Sequence, residues 1–379
     1  MKVLLVSSGS GSRGGGEFFL CYLAMGLSRK GYEVELWCPN HTRMDEFVLS
    51  FPEGVTVHRG PYLNSYLDRK FRNLGAACDG SAVENMTQKF GELAPDVIHL
   101  NLQTPEDASD LIRAARRTKI SSLATVHITQ TNKELGGKQA LLRDWFAKRS
   151  LRRADMPLVA VSDLRAEGLR KIVGERGQVE RVYNGVGVRS ESQELSRKEI
   201  FTKLGWSEKH SLVVMVGRLE EQKDPFLFLQ SAAKISQVWP EARFLWIGDG
   251  SLRSTFESEA VSLGLEEKVK CWGWVEDPEP FLKLAALYFH SARFEGLPLS
   301  ILEAMSFGLP CVIPSSVARE ARVFSEKNVW LCDEEIWLQE IVKEENRKQK
   351  GKAARALFEE YFTCEAMAAG YSKLYQKLG

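Results

Sequence analysis

The chain lacks the sequence signs of a secreted, metal-bound or membrane-spanning protein. Its 379 residues include seven cysteines, an odd number with no CxxC pair, which argues against a disulfide framework and a cysteine-ligated metal. Its six histidines form no HExxH motif. The apolar start covers only about five residues, too few for the hydrophobic core of a signal peptide. No later run approaches the length of a membrane span. These absences predict a cytosolic protein in a reducing compartment.

The chain also lacks a strong charge of either sign. Its net charge is +1, which gives no global argument for nucleic-acid binding, so no nucleic-acid partner is expected. With 44% hydrophobic and 27% charged residues, the composition is that of a soluble globular protein. The length is sufficient for two domains of ordinary size.

Short apolar runs alternate with helical patterns along most of the chain. This alternation predicts parallel sheets covered by helices. A polar run over 189–199, RSESQELSRKE, is typical of a linker and the first helix of a second domain. We therefore expect an N-terminal domain over 1–188, a C-terminal domain over 189–355 and a final helical segment over 356–379. Residues 41–90 carry no pattern from which chemistry can be predicted.

A glycine-rich loop, Gly9–Glu17, follows the first predicted strand, KVLLVS. The sequence GSGSRG within it matches the dinucleotide fingerprint G-x-G-x-x-G. That fingerprint expects an acidic residue at the end of the second strand, where this chain has Cys38-Pro39-Asn40. The departure disfavours a nicotinamide dehydrogenase. Gly15 and Gly16 instead suit a loop that a ligand approaches closely, although a plain strand-to-helix turn is an equal alternative.

A second glycine turn follows the predicted strand SLVVMV. It carries Gly217, Arg218 and Lys223 just before a helical pattern. Two cations that lie five residues apart beside a helix start form a reasonable anion site. A surface loop with two scattered bases is the alternative.

The segment from Ala292 to Pro314, ARFEGLPLSILEAMSFGLPCVIP, reads as loop, short helix, loop and strand. Pro298 suits the first turn of a helix, so the amides of Leu299 and Ser300 are expected as unpaired donors for a phosphate. Glu295 and Glu303 flank these amides, and carboxylates accept hydrogen bonds from sugar hydroxyls. An ordinary amphipathic helix with two surface glutamates would give the same spacing.

These motifs together resemble the retaining glycosyltransferases of the GT-B fold, in the group 1 or family-four class. The resemblance rests on Glu295-x7-Glu303 within EGLPLSILEAMSFGLPCV, on the turn from Gly217 to Lys223, and on Gly14-Gly15-Gly16-Glu17. It implies two Rossmann-like domains with parallel sheets facing across a cleft. It also implies that the last helix crosses back onto the first domain.

The family's functional residues transfer to matching positions of this chain as expectations. Arg218 and Lys223 would hold the donor diphosphate, Glu303 the ribose, and Glu295 and His127 the donor sugar. The remaining expected donor contacts are Gly15, Gly16, Gly217, Trp274, Val275, Gly296, Leu297, Pro298, Leu299 and Ser300. The chain departs from the family pattern at Asn101, Gly187 and Asp224, which puts any contact at those positions in doubt.

The resemblance implies transfer of a sugar from a nucleoside-diphosphate donor to a hydroxyl acceptor with retained configuration. The donor is expected to be a UDP-sugar or a GDP-sugar, and no metal is expected because Arg218 and Lys223 supply the positive charge. The acceptor would be a sugar, a glycan or a lipid-linked molecule in carbohydrate biosynthesis. A sugar-nucleotide epimerase, a sugar phosphorylase and a non-catalytic scaffold of the same fold remain alternatives, with the dehydrogenase as a different class.

A predicted helix over 138–153 combines apolar and basic residues. Leu142, Trp145 and Phe146 alternate there with Arg143, Lys148, Arg149, Arg152 and Arg153. This pattern allows peripheral contact with the inner face of a membrane through 143–153. A solvated basic face on an ordinary helix is the competing interpretation.

Overall fold

The computed structural model describes the chain except residues 12–13, 65–67, 69–71, 176 and 188–194, and the side chains of residues 72–74. Part of the glycine-rich loop, most of the predicted linker and the predicted domain boundary at 188/189 therefore lie outside the described residues. Two compact units are present. The first contains Met1–Gly187 together with Thr363–Gly379, and the second contains Val188–Phe362.

The first unit is built on a parallel sheet of seven strands in the order β3-β2-β1-β4-β5-β6-β7. The strands are β1 Lys2–Ser7, β2 Glu33–Pro39, β3 Thr56–Gly60, β4 Val97–Leu102, β5 Ser121–Val126, β6 Leu158–Ala160 and β7 Val179–Arg181. The central strands are buried along almost their whole length, as the continuous apolar runs predict for a sheet covered on both faces.

Helices cover this sheet, and Trp37, Phe90 and Leu111 are among the large side chains of one buried cluster. The helices are α1 Gly15–Arg29, α2 Asp45–Leu49, α3 Arg72–Cys78, α4 Gly80–Leu93, α5 Ser109–Thr118, α6 Ala140–Arg152 and α7 Asp163–Val173. The described residues of segment 41–90, in which the sequence shows little pattern, thus include the α-helices α2 and α3, the start of α4 and the edge strand β3. The helix predicted over 105–118 begins only at Ser109.

The second unit contains a parallel sheet of six strands in the order β10-β9-β8-β11-β12-β13. The strands are β8 Ser211–Val216, β9 Ala242–Ile247, β10 Val269–Gly273, β11 Leu287–Phe289, β12 Cys311–Ile313 and β13 Trp330–Leu331. The helices are α8 Arg197–Leu204, α9 Pro225–Val238, α10 Arg253–Ser262, α11 Glu279–Leu284, α12 Leu299–Ser306, α13 Ser315–Ala318, α14 Trp337–Glu340 and α15 Glu344–Tyr361. The core includes a cluster of aromatic rings in which Phe228 contacts Phe244, Trp246, Phe256 and Phe289.

The last helix, α16 Cys364–Leu378, packs in the first unit. The hydroxyl of Tyr375 lies 2.7 Å from Nδ1 of His99, and the hydroxyl of Tyr371 lies 2.8 Å from Oγ1 of Thr125. His99 and Thr125 are joined in turn by a bond of 2.7 Å. A Cβ on Gly26 of α1 would lie 2.3 Å from the carbonyl of Cys364, so only glycine permits this close approach.

The strand order reverses direction at one point in each sheet. In the first unit, the strands that follow β1 in the chain are added on one side of it (β2, β3), and those that follow β4 are added on the other side (β5, β6, β7). In the second unit, β8 and β11 are the corresponding pair. Loops that follow the carboxyl ends of such neighbouring strands converge, and ligands of doubly wound sheets bind there. The loops after β8 and β11 carry most of the predicted site. Among the described residues, no helix combines the length and the apolarity that a membrane crossing requires.

Candidate active site

The turn after β8 is closely packed around Gly217. Its amide donates to the carbonyl of Ile247 at 2.9 Å, and its carbonyl accepts from Nε1 of Trp246 at 2.8 Å. A Cβ on Gly217 would lie 3.3 Å from Cδ and Cε of Lys223, so a larger residue would press on the lysine side chain. A short 3₁₀ turn over Glu221–Lys223 then carries the lysine beside the end of β8.

Lys223 and Glu295 form an ion pair, although they are 72 residues apart in the chain. Their side chains are only 15% and 12% exposed. The sequence predicts both as donor contacts, and the structure brings them together. A pair with so little solvent contact depends on both partners, because removing one leaves a poorly hydrated charge behind.

Hydrogen bonds join the two loops that carry this pair. The amide of Arg293 donates to the carbonyl of Gln222 at 2.9 Å, and Nε2 of Gln222 donates to the carbonyl of Phe294 at 3.1 Å. Oγ of Ser291 donates to the carbonyl of Lys223 at 2.7 Å. The backbone on both sides of the ion pair is therefore fixed by hydrogen bonds between the two loops.

Asp224 departs from the family pattern, which has glycine there, and the structure gives the reason. Its φ is 48°, in the left-handed region that glycine adopts easily and aspartate tolerates better than most residues. Its Oδ1 accepts from the amide of Leu227 at 3.1 Å and caps α9. Its Oδ2 accepts from Nε of Arg293 at 2.8 Å. The side chain thus contributes a cap and an ion pair that glycine does not provide.

His290 belongs to this site and was missed by the sequence reasoning. It is fully buried directly after β11, and its Nε2 lies 3.9 Å from Oε1 of Glu295. Burial, helped by the charge of Lys223, holds the pKa of His290 well below its usual range, so the ring is neutral. Its Nδ1 lies 3.3 Å from the hydroxyl of Tyr288. The only sequence signal was a polar residue at the carboxyl end of a predicted strand.

The N-terminus of α12 carries the predicted phosphate-binding amides. Pro298 is its N-cap, and no side chain within the described residues caps the helix there. Leu299 is buried and Ser300 is half-buried in the first turn, while Glu303 is half-buried one turn further on. The helix start therefore leaves backbone donors at the end of the loop that holds Glu295.

The other predicted donor contacts are spread around this point. Arg218 is exposed and forms no ion pair in the part of the chain that the structure describes. Gly296 is half-buried and Leu297 is buried between Glu295 and α12. Trp274 is 49% exposed, and Val275 is half-buried. These last two residues follow edge strand β10, which is separated from β8 by β9.

The predicted residues of the first unit cluster at the ends of β1, β4 and β5. Gly15 begins α1, and a Cβ on Gly16 would lie 2.0 Å from Oε1 of Gln103. Nδ2 of Asn101 donates to the carbonyl of Gly16 at 2.8 Å, and its Oδ1 lies 2.7 Å from Nε2 of His127. Asn101, whose role the sequence left in doubt, therefore links the glycine-rich loop to the histidine.

These contacts determine the protonation of His127. Its burial lowers the pKa to about 3, so the ring is neutral near pH 7. Because Asn101 directs its carbonyl oxygen at Nε2, the proton resides on that nitrogen and Nδ1 is left as an acceptor. His127 is therefore suited to accept a hydrogen bond from a hydroxyl and not to act as a cation.

Glu17 holds the loop itself. Its Oε1 accepts from the amides of Ser10 and Gly11 at 2.7 and 2.9 Å. Across both units, the described residues contain no group of three or more histidine, cysteine, aspartate or glutamate side chains suited to a metal ion.

The sequence matches two family models. The model described as glycosyl transferases group 1 matches residues 196–347, and the model described as glycosyltransferase family 4 matches residues 13–189. The first match lies within the second unit, and the second match covers most of the first unit. They favour glycosyl transfer over the epimerase, phosphorylase and dehydrogenase alternatives.

Curated relatives match shorter stretches. The chain is 29% identical over 156 residues to the Escherichia coli UDP-Gal:α-D-GlcNAc-diphosphoundecaprenol α-1,3-galactosyltransferase, which is 40% of each chain. It is 34% identical over 136 residues to a Campylobacter jejuni α-1,4-N-acetyl-D-galactosaminyltransferase that acts on a diNAcBac-PP-undecaprenol glycan, covering 35% of this chain and 37% of the relative. The aligned regions thus span less than half of these relatives.

The fold is shared along the whole chain with a solved structure. HepE of Anabaena, crystallised with UDP and glucose, superposes with a TM-score of 0.77 at 18% identity and full coverage of both chains. This likeness confirms the GT-B fold with its two parallel-sheet units. The chain belongs to the group 1, family-four glycosyltransferases.

Proposed function

We propose that this protein transfers a sugar from a UDP-sugar to a hydroxyl acceptor with retention of the anomeric configuration. The observation that carries the proposal is the Lys223–Glu295 ion pair at the point where the second sheet reverses its strand order. A cation, a carboxylate and a bare helix start lie on adjoining loops there. That combination suits a ligand with a diphosphate and a sugar.

The diphosphate would be held by the cations and the amides of the second unit. Lys223 and Arg218 would oppose the negative charge that grows on the leaving nucleotide as the glycosidic bond breaks, and the amides of Leu299 and Ser300 would add donors. Glu303 would accept hydrogen bonds from the ribose. Trp274 and Val275 would contact the base.

Glu295 would bind the donor sugar by accepting hydrogen bonds from its hydroxyls. This carboxylate is already paired with Lys223, so donor binding would move the lysine toward the diphosphate and leave the carboxylate oxygens for sugar hydroxyls. Glu295 is proposed as a positioning group and not as the nucleophile of a two-carboxylate glycosidase. The leaving phosphate would take the proton of the acceptor hydroxyl. A role for His127 toward the donor sugar stays a prediction.

A lipid-linked acceptor is favoured by the relatives, two of which act on undecaprenol diphosphate glycans. We accordingly propose synthesis of a glycolipid or a polysaccharide at a membrane surface, with peripheral contact through residues 143–153. Within that range Trp145 is 54% exposed, and Arg149, Arg152 and Arg153 are exposed.

The decisive experiment is a thermal-shift panel of nucleoside diphosphates and their sugars. A ligand that binds the folded state raises the melting temperature, and UDP is expected to do so more than GDP or ADP. The double variant Lys223→Met/Glu295→Gln removes both charges together, so it avoids a lone buried charge. The matched control is Lys234→Met/Glu335→Gln, an exposed ion pair in the same unit.

We expect UDP to protect the wild-type protein and the control but not the double variant. Transfer measured with the single variant Lys223→Met is expected to fall by roughly 10²–10³ in kcat, as for the loss of one donor to a developing charge. Equal protection of the double variant and the wild-type protein by UDP would refute the proposal that Lys223 and Glu295 form the donor site. If no nucleotide raised the melting temperature of the wild-type protein, the proposal that the donor is a nucleoside-diphosphate sugar would be refuted.

A further inference from the structure

A cavity of about 320 Å³ lies in the first unit beside α5 and α6, and it extends from the start of α5 along both helices. Four arginines line it, Arg113 and Arg116 from α5 and Arg149 and Arg153 from the end of α6. Ile112 and Phe146 give it apolar walls. Four guanidinium groups around one cavity repel each other unless an anion lies between them.

No carboxylate neutralises these four arginines in the part of the chain that the structure describes. Arg113 donates to the carbonyl of Ala77, and Arg116 donates to the carbonyl of Arg153 at 2.6 Å. Carbonyl acceptors orient the guanidinium groups but leave their full positive charge uncompensated. The side chains of Arg113 and Arg116 are thus held in place and keep further N–H donors, as in sites that bind phosphate.

Among the described residues that line the cavity, the one carboxylate is already neutralised. Glu106 accepts from Arg143 through both of its oxygens, and Nδ2 of Asn132 donates to it at 3.2 Å. Its side chain is only 5% exposed. Glu106 therefore does not offset the charge of the four arginines that line the cavity.

Large apolar side chains are exposed on the same helix. Leu141 is 75% exposed, Leu142 51% and Trp145 54%. Leu141, Trp145 and Arg149 follow one another at intervals of four residues, so they share one face of α6. The guanidinium of Arg149 lies 5.5 Å from the centre of the Trp145 ring. The face is apolar toward the start of α6 and basic toward its end.

We propose that this surface binds an anionic phospholipid bilayer, with lipid phosphates in the arginine-lined cavity and the leucine and tryptophan side chains among the acyl chains. A small soluble phosphate would use the arginines but not the exposed leucines. Basic residues draw a helix to anionic lipids, and tryptophan and leucine anchor it at the interface. The inference deepens the membrane contact proposed above and rests on it.

The test is co-sedimentation of the full-length protein with vesicles of phosphatidylcholine, with or without phosphatidylglycerol. The quadruple variant Arg113→Gln/Arg116→Gln/Arg149→Gln/Arg153→Gln removes the basic lining. Because α5 arginines also hold main-chain carbonyls, the double variant Arg149→Gln/Arg153→Gln is made beside it. The matched control removes four exposed charges elsewhere, at Lys30, Lys198, Lys209 and Lys373.

We expect the wild-type protein and the lysine control to bind vesicles that contain phosphatidylglycerol, with binding that weakens as salt rises. The quadruple variant is expected to partition on the order of a thousandfold more weakly, and the double variant about thirtyfold. A shift of tryptophan fluorescence to shorter wavelength on binding is expected in the wild-type protein and should be lost in Trp145→Phe.

Equal binding by the quadruple variant and the lysine control would overturn the proposal, as would wild-type protein that stays in the supernatant. Displacement by glycerol 3-phosphate at the concentration of the lipid phosphate, with no fluorescence shift, would assign the cavity to a soluble phosphate instead. UDP protection in the thermal-shift panel is independent of this surface. The donor proposal therefore stands or falls separately.

Discussion

Nε2 of His290 lies 3.9 Å from Oε1 of Glu295, and within the described residues that buried nitrogen has no hydrogen-bond partner. The distance is too long for a hydrogen bond. A small rotation of the carboxylate would close it. If Lys223 turns toward a diphosphate, the neutral imidazole is the donor already in place to hold Glu295.

We therefore expect His290→Leu to weaken donor recognition without weakening the fold. The buried Nε2 without a partner costs about 1–3 kcal/mol, and its removal offsets the loss of the 3.3 Å contact between Nδ1 and the Tyr288 hydroxyl, so the leucine variant should melt no lower than the wild-type protein. Its KM for the donor sugar should rise several-fold, because Glu295 loses a donor. His290→Gln keeps an N–H group and should restore part of the KM. An unchanged KM in His290→Leu would refute the expectation.

Asp224 allows a stability prediction that separates backbone strain from side-chain contacts. Asp224→Ala loses the cap of α9 and the bond to Arg293 while it keeps φ at 48°. The lost cap costs about 1 kcal/mol in either variant, and a residue with Cβ is about 1 kcal/mol less stable than glycine in the left-handed backbone. Asp224→Gly loses the same contacts, but glycine adopts the left-handed conformation without strain. This variant should therefore be less destabilised than Asp224→Ala. Urea unfolding of both variants measures the order, and alanine at or above the glycine level would contradict it.

The prediction of the fold from sequence succeeded where apolar runs were unbroken. KVLLVS and SLVVMV form the central strands β1 and β8. Both strands are buried on both faces, and a continuous apolar run of this kind predicts a strand of a parallel sheet. The pairing of Lys223 with Glu295 follows from topology, because loops after neighbouring parallel strands converge. The family resemblance predicted both Lys223 and Glu295 as site residues, but nothing in the sequence predicted that they form an ion pair.

The residues that the sequence missed depend on partners far away in the chain. His290 belongs to the site because it lies close to Glu295 and Tyr288 in space, and no motif in the sequence around it indicates this. Asn101 departs from the family pattern, which put a role at that position in doubt, and the structure shows that it joins Gly16 to His127. Asp224 replaces glycine because one carboxylate serves α9 and Arg293 at once. Such roles arise only when strands bring remote positions together.

The contact of α16 with the sheet predicts a stability effect in the first unit. In Tyr375→Phe the buried Nδ1 of His99 loses its 2.7 Å partner while the ring packing is kept. The expected loss in the free energy of unfolding is about 1–3 kcal/mol. Lys373→Gln, on an exposed position of the same helix, is the control and should change little. A Tyr375→Phe variant as stable as this control would show that the bond contributes nothing.

Asp107 predicts how stability depends on pH. The carboxyl is buried beside the glycine-rich loop, with Oδ2 accepting from Oγ of Ser8 at 2.9 Å and from the amide of Gln103 at 3.1 Å. Its Oδ1 is buried without a partner among the described residues. Burial raises the pKa to about 6, these hydrogen bonds oppose the rise, and the charge of Asp110 adds to it.

Because the folded-state pKa lies above the unfolded value of about 3.9, the fold is favoured when Asp107 is protonated. That stability is fully present below about pH 4 and is lost as the pH rises through 6. One pKa unit is worth about 1.4 kcal/mol, so the ionised carboxylate costs roughly 3 kcal/mol near pH 7. Asp107→Asn has no charge to bury, and its stability relative to the wild-type protein should therefore improve by that amount between pH 4 and pH 7.

Urea unfolding of both proteins across this range measures the difference. Taking the difference matters because burial lowers the pKa of His99 and of His127 to about 3, and these rings destabilise the fold as the pH falls. Their contribution is common to both proteins and cancels. Ser8→Ala removes a hydrogen bond that favours the carboxylate, so it should move the midpoint of the wild-type change to higher pH. A difference between Asp107→Asn and wild-type protein that stays constant from pH 4 to pH 7 would mean that this carboxyl does not titrate in that range.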